Sequence, residues 1–102
     1  MPGIKICGLT RPEDIRTVNR FLPDFIGFVF APSRRQIDAD TASMLKSGLD
    51  PSIRSVGVFV NEDISRMEEL CRRGIIDLIQ LHGDEDECYI QSLRSVTDLP
   101  II

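Results

Sequence analysis

The 102 residues are enough for one compact domain, and with 42% hydrophobic and 27% charged residues the chain reads as an ordinary globular protein. A net charge of -4 weighs against a nucleic-acid partner, which needs clustered lysine and arginine to displace counterions. No apolar run approaches the roughly 20 residues that span a bilayer, so no membrane partner is expected.

The first apolar stretch is IKIC, residues 4–7, a short strand that ends on Cys7 and turns at Gly8. The N-terminus around it, MPGIKICGLT, lacks the basic, apolar and small-residue layout of a secretory signal, so a cytoplasmic location is expected. Thr10-Arg11-Pro12-Glu13 reads as a capping box with proline in the first turn. Ile15, Val18, Phe21 and Leu22 then share one face of the helix it starts. FIGFVF, residues 25–30, is the second strand. Asp38 is placed to cap a second helix carrying Ala42, Met44, Leu45 and Leu49. SVGVFV, residues 55–60, follows as the third strand. Asn61 suits the cap of a third helix, with Ile64, Met67, Leu70 and Cys71 facing inward and Gly74 near its end. DLIQL, residues 77–81, is the fourth strand. Asp84 and Glu87 form a capping pair before Ile90, Leu93 and Val96, and LPII at 99–102 begins a fifth strand.

These strands are rich in Val, Ile and Phe and lack strict polar alternation, so both faces should be buried, as in a parallel sheet. Strand and helix alternate four times, with short loops and no linker. The class is α/β, residues 1–102 forming a single domain. Two architectures compete. A flavodoxin-like five-stranded sheet fits the length, whereas a TIM (β/α)8 barrel needs at least about 200 residues.

Catalytic groups in parallel α/β folds gather at the C-terminal ends of strands. Those tips carry Cys7-Gly8, then Phe30 followed by Ala31-Pro32-Ser33-Arg34-Arg35, then Asn61, then His82-Gly83. A free cysteine is most often a small buried apolar residue, but where cations or backbone dipoles stabilise its thiolate it is also a competent base near neutral pH. Arg34 and Arg35 are either a solvated loop pair or a fork for a planar carboxylate. His82 is either a hydrogen-bonded structural residue or a ligand contact. The odd cysteine count, with no CxxC spacing, argues against a zinc site or disulfide framework; Cys71 and Cys88 read as structural or incidental.

In order and spacing, KICGLTRPED, DFIGFVFAPSRRQI, VGVFVN and IQLHGDE resemble the phosphoribosylanthranilate isomerase family of tryptophan biosynthesis. The resemblance covers essentially the whole chain and implies the first half of a (β/α)8 barrel: four βα units and the start of strand five. It implies an Amadori rearrangement of N-(5-phosphoribosyl)anthranilate, a small-molecule phosphosugar. An acid protonates the furanose ring oxygen and opens the ring to a Schiff base. A base then removes the C2 proton, and the enolamine becomes the 1-amino-1-deoxyketose. The substrate's own iminium is the electron sink, so no cofactor or metal is implied. The resemblance makes Cys7 the general base and places Arg35 on the anthranilate carboxylate, Arg34 standing where the family often has proline. It makes Gly8 and His82 substrate-side residues, Gly8 by letting the ligand approach the backbone. It puts the acid, an aspartate, on a strand beyond Ile102, and the phosphate loops beyond that, so these residues alone are expected to be inactive. An open arc would leave edges at IKIC and LPII, for which a homodimer closing edge to edge is expected. The competing readings are a non-catalytic flavodoxin-like or self-associating module, and another phosphosugar barrel enzyme.

Overall fold

A computed structural model describes residues 4–102. Its elements alternate throughout: β1 (Lys5–Cys7), α1 (Pro12–Phe21), β2 (Phe25–Val29), α2 (Ala39–Gly48), β3 (Arg54–Phe59), α3 (Ile64–Arg72), β4 (Leu78–Leu81) and α4 (Glu87–Arg94). The strands pair in parallel in the order β1-β2-β3-β4. That order excludes the flavodoxin-like alternative, whose second strand lies outside the first. Sequential order is what a barrel wall requires. Ile79 N–H donates to the Pro100 carbonyl at 2.9 Å and Ile102 N–H to the Ile79 carbonyl at 2.7 Å, so LPII does begin to pair beside β4.

Register sorts the strand side chains by face. Cys7 stands opposite Gly27, Gly27 opposite Val56, and Val56 opposite Leu78. Because side chains alternate along a strand, Lys5, Cys7, Gly27, Val29, Val56, Val58 and Gln80 share the inner face. The other face, made by Ile26, Phe28, Ser55, Phe59 and Ile79, is fully buried under the helices. Ile15, Val18, Leu45, Met67, Leu70 and Leu93 close the core from the helix side. Burial on both faces holds for β3, where Val56 and Val58 are also buried, but not for β1. There Cys7 is exposed and Ile6 is 37% exposed, because among the described residues β1 has a neighbour on one side only. Phe21, Leu22 and Met44, expected inward, are exposed, the first two lying at the C-terminal end of α1.

Helix starts follow carboxylates, though not always the expected ones. Asp38 caps α2 by accepting from Thr41 N–H at 2.8 Å. Elsewhere the cap shifts. Asp14, not Thr10 or Glu13, serves α1 by accepting from the N–H groups of Thr10 and Arg11 at 3.1 and 3.2 Å. The Thr10 bond leads in holding its carboxyl below the usual range, burial opposing it. Asp63 replaces Asn61 at α3, accepting from Ser65 N–H, and Asp86 replaces Asp84 at α4, accepting from Tyr89 N–H. In each case the loop runs longer than the spacing of residues suggests.

Opposite the strand tips, Lys46 of α2 donates to Asp77 at 2.7 Å and to the hydroxyl of buried Ser55 at 2.9 Å. Asp77 also accepts from Ser55 N–H, and the Ser55 hydroxyl donates to the Ile75 carbonyl. Burial pushes the Asp77 carboxyl up, but the Lys46 and Ser55 hydrogen bonds and the lysine charge together outweigh it and hold the carboxyl below its ordinary value. Since Asp77 is 41% exposed, solvent screens much of that interaction. Asp77→Asn should cost about 1 kcal/mol at pH 7 by urea unfolding. The wild-type advantage is complete above the unfolded carboxylate value of about 3.9 and fades as pH falls through the lower folded value. The two unfolding curves should therefore converge in acid.

Candidate active site

The site is assembled where β1 and β2 release their loops. Gly8 follows β1 with φ +85°, and its N–H donates to the Gly27 carbonyl at 3.0 Å. The 31–35 loop turns on Ser33, whose hydroxyl accepts from Arg35 N–H at 3.2 Å, and Ile37 N–H returns to the Val29 carbonyl. This turn carries Arg35 back over β1, where a guanidinium N–H donates to the Cys7 carbonyl at 3.4 Å. Arg35 rather than Arg34 thus makes the contact with the first strand.

Two glycines make the juxtaposition possible. A side chain at Gly8 would collide with the Arg35 Cδ, so the arginine stem occupies the room that the missing Cβ leaves. The Arg35 stem thus lies directly against the Gly8 backbone. A side chain at Gly27 would meet the Cys7 Sγ at 2.5 Å, so the thiol rests across the neighbouring strand's backbone. Gly27 was not legible as a site residue, because its role depends on pairing with Cys7.

His82 follows β4, and its N–H donates to the Phe59 carbonyl at 2.9 Å. Its Nε2 lies 2.8 Å from Gln80 Nε2, and Gln80 Oε1 accepts from Lys5. Three strand spacings amount to about 14 Å on a flat sheet, so Lys5 and Gln80 meet because the sheet curls toward their shared face. Asn61 adopts φ +50°, and its N–H donates to Glu85 at 2.7 Å; the other Glu85 oxygen accepts from Gly83 N–H at 2.8 Å. Burial opposes this arrangement, but the two N–H bonds prevail and hold the Glu85 carboxyl low. Glu85 ties the third and fourth strand tips together, a role expected of no residue. A separate cleft of about 340 Å³ opens between α2 and α3, lined by Phe30, Ile37, Glu62, Arg66 and Leu70 among others. None of Cys7, Gly8, Arg35 and His82 lines it.

Residues 4–102 match the family model described as N-(5'phosphoribosyl)anthranilate (PRA) isomerase. The chain belongs to this isomerase family. It is 52% identical over 102 residues to the N-(5'-phosphoribosyl)anthranilate isomerase of Endomicrobium trichonymphae, covering all of this chain and 51% of the relative. It is 52% identical over 94 residues to that of Clostridium acetobutylicum, covering 92% of this chain and 46% of the relative. The phosphoribosyl anthranilate isomerase of Thermotoga maritima superposes with a TM-score of 0.87 at 31% identity, over 99% of this chain and 49% of that one. An isomerase solved in complex with reduced 1-(o-carboxyphenylamino)-1-deoxyribulose 5-phosphate gives the same TM-score and identity, over 99% of this chain and 52% of that one. The chain therefore spans about half the length of the relatives it matches, and its four βα units form an arc of their TIM barrel.

The Gly27 seat has a measurable signature. Gly27→Ala should destabilise the chain by about 1–3 kcal/mol through overpacking. In a Cys7→Ala background, where the sulfur is gone, the same change should cost at least about 1 kcal/mol less. A double-mutant cycle by urea unfolding measures the difference.

Proposed function

We propose that this chain supplies the general base and the carboxylate clamp of a phosphoribosylanthranilate isomerase. The reaction is the Amadori rearrangement of N-(5-phosphoribosyl)anthranilate to 1-(2-carboxyphenylamino)-1-deoxyribulose 5-phosphate. The observation that carries this reading is the contact of Arg35 with the Cys7 backbone at one strand tip. It supports a reading in which a fork for a planar carboxylate and the Cys7 thiol serve one small ligand.

Cys7, as thiolate, takes the proton from C2 of the ring-opened Schiff base, and the electrons of that C–H bond flow into the iminium. Arg35 holds the anthranilate carboxylate, fixing which carbon faces the sulfur. His82, on the same inner face, contacts the sugar. The ring-opening acid and the phosphate site fall to strands beyond those described here. No metal or organic cofactor enters the scheme. The setting proposed is the cytoplasm; no helix among the described residues is long and apolar enough to cross a membrane. For these 102 residues taken alone, a homodimer through the open sheet edges at IKIC and LPII is also proposed; a Thermotoga maritima relative is described as a dimeric isomerase.

The test is a hybrid in which this chain is followed by the C-terminal half of the Endomicrobium trichonymphae relative, assayed for isomerase turnover. Cys7→Ser should leave KM nearly unchanged and cut kcat severely, because the shape persists while the thiolate is lost. Arg35→Ala should weaken binding by about 1.5–3 kcal/mol, the range for a hydrogen bond to a charged group, with Arg34→Ala doing far less. Near-normal turnover of the serine variant would remove Cys7 from its role.

A further inference from the structure

The hydrogen-bonded chain Lys5–Gln80–His82 has chemically unequal ends. Lys5 Nζ donates to Gln80 Oε1, and the Gln80 Nε2 lies 2.8 Å from His82 Nε2. An ammonium has three donors and no acceptor, so it fixes which way the Gln80 amide faces. The oxygen turns to Lys5 and the NH2 group to the histidine. An amide NH2 only donates, so His82 Nε2 must accept, and the ring proton is left on Nδ1. Neutral imidazole in water carries its proton mainly on Nε2. The chain therefore selects the minor tautomer.

We propose that Lys5 and Gln80 are positioning residues that set His82 as an Nδ1–H donor for an oxygen of the bound phosphosugar. His82 is exposed, and its ring makes no other hydrogen bond among the described residues. Glu85, the carboxylate beside it, already accepts from Asn61 and Gly83 N–H groups. A hydroxyl, ring or carbonyl oxygen can accept from Nδ1–H, whereas the opposite tautomer would present a lone pair there. Only the ligand's identity rests on the proposed function; the tautomer follows from the hydrogen bonds alone.

His82 is the chain's only histidine, so ¹⁵N-histidine labelling reports one ring. Long-range ¹⁵N–¹H correlation spectra, recorded where the ring is neutral, identify the protonated nitrogen. The wild-type chain should show mainly Nδ1–H. Lys5→Met frees the amide to rotate and should raise the Nε2–H form to a majority. Gln80→Glu, nearly isosteric and acceptor-only when ionised, should draw the proton to Nε2 without relying on the lysine variant. A wild-type ring mainly protonated on Nε2, or a Gln80→Glu ring unchanged from wild type, would overturn the assignment. In the hybrid enzyme, Gln80→Glu should raise KM about tenfold while the alkylation rate of Cys7 stays near wild type. An unchanged KM would overturn the donor role. Failure of the unsubstituted hybrid to turn over substrate would instead count against the isomerase reading, leaving the spectra to decide the tautomer.

Discussion

Parallel pairing with a two-residue side-chain period divides the strand residues into two sets that do different work. Ile26, Phe28, Phe59, Ile79 and Ser55 enter the helix-covered core, with Ser55 bonded to the partly exposed Lys46 and Asp77 at its margin. Lys5, Cys7, Gly27, Val58 and Gln80 fall on the opposite face, whose rim holds the strand tips. A slip of one residue in β1 would exchange Ile6 for Cys7 and turn the thiol toward the helix side. Register is thus the condition for both stability and chemistry. The helix-side contacts hold it, and the inner face gains freedom to carry polar groups.

On that inner face, position is set largely by what is missing. Gly8 and Gly27 have no side chains, and Arg35 and Cys7 lie in the spaces this leaves. The two groups proposed to act on the substrate are seated against backbone, which cannot rotate away as a side chain can. Such support favours a site in which a carboxylate clamp and a base must stay in fixed relation while substrate is oriented. Curvature contributes in the same way. It brings Lys5 within reach of Gln80, 75 residues away in sequence.

Much of this order was legible from the residues. The Val-, Ile- and Phe-rich runs located all four strands, and Asp38 marked its helix correctly because a carboxylate immediately precedes the turn it caps. Four ordered motifs at strand tips led to the family and to a barrel, against a length that suited a flavodoxin-like sheet. The caps at α1, α3 and α4 were misplaced by one or two residues. Several acidic or polar groups crowd each loop, and backbone conformation decides which carboxylate reaches the free N–H groups. Glu85 and Gly27 were invisible for a different reason. Each acts on a residue of another strand or loop, and sequence spacing carries no record of which strands will be neighbours.

Cys7 and Arg35 are proposed to belong to one ligand site. Protection of thiols from alkylation tests it directly, because Cys88 is also exposed and serves as an internal reference. The hybrid enzyme would be treated with iodoacetamide, with and without the reduced carboxyphenylamino-deoxyribulose phosphate, and each cysteine followed by peptide mass analysis. The ligand should slow modification of Cys7 by tenfold or more, leave Cys88 unchanged, and lose its protective effect in Arg35→Ala. Tight ligand binding with Cys7 modified at its free rate would contradict it.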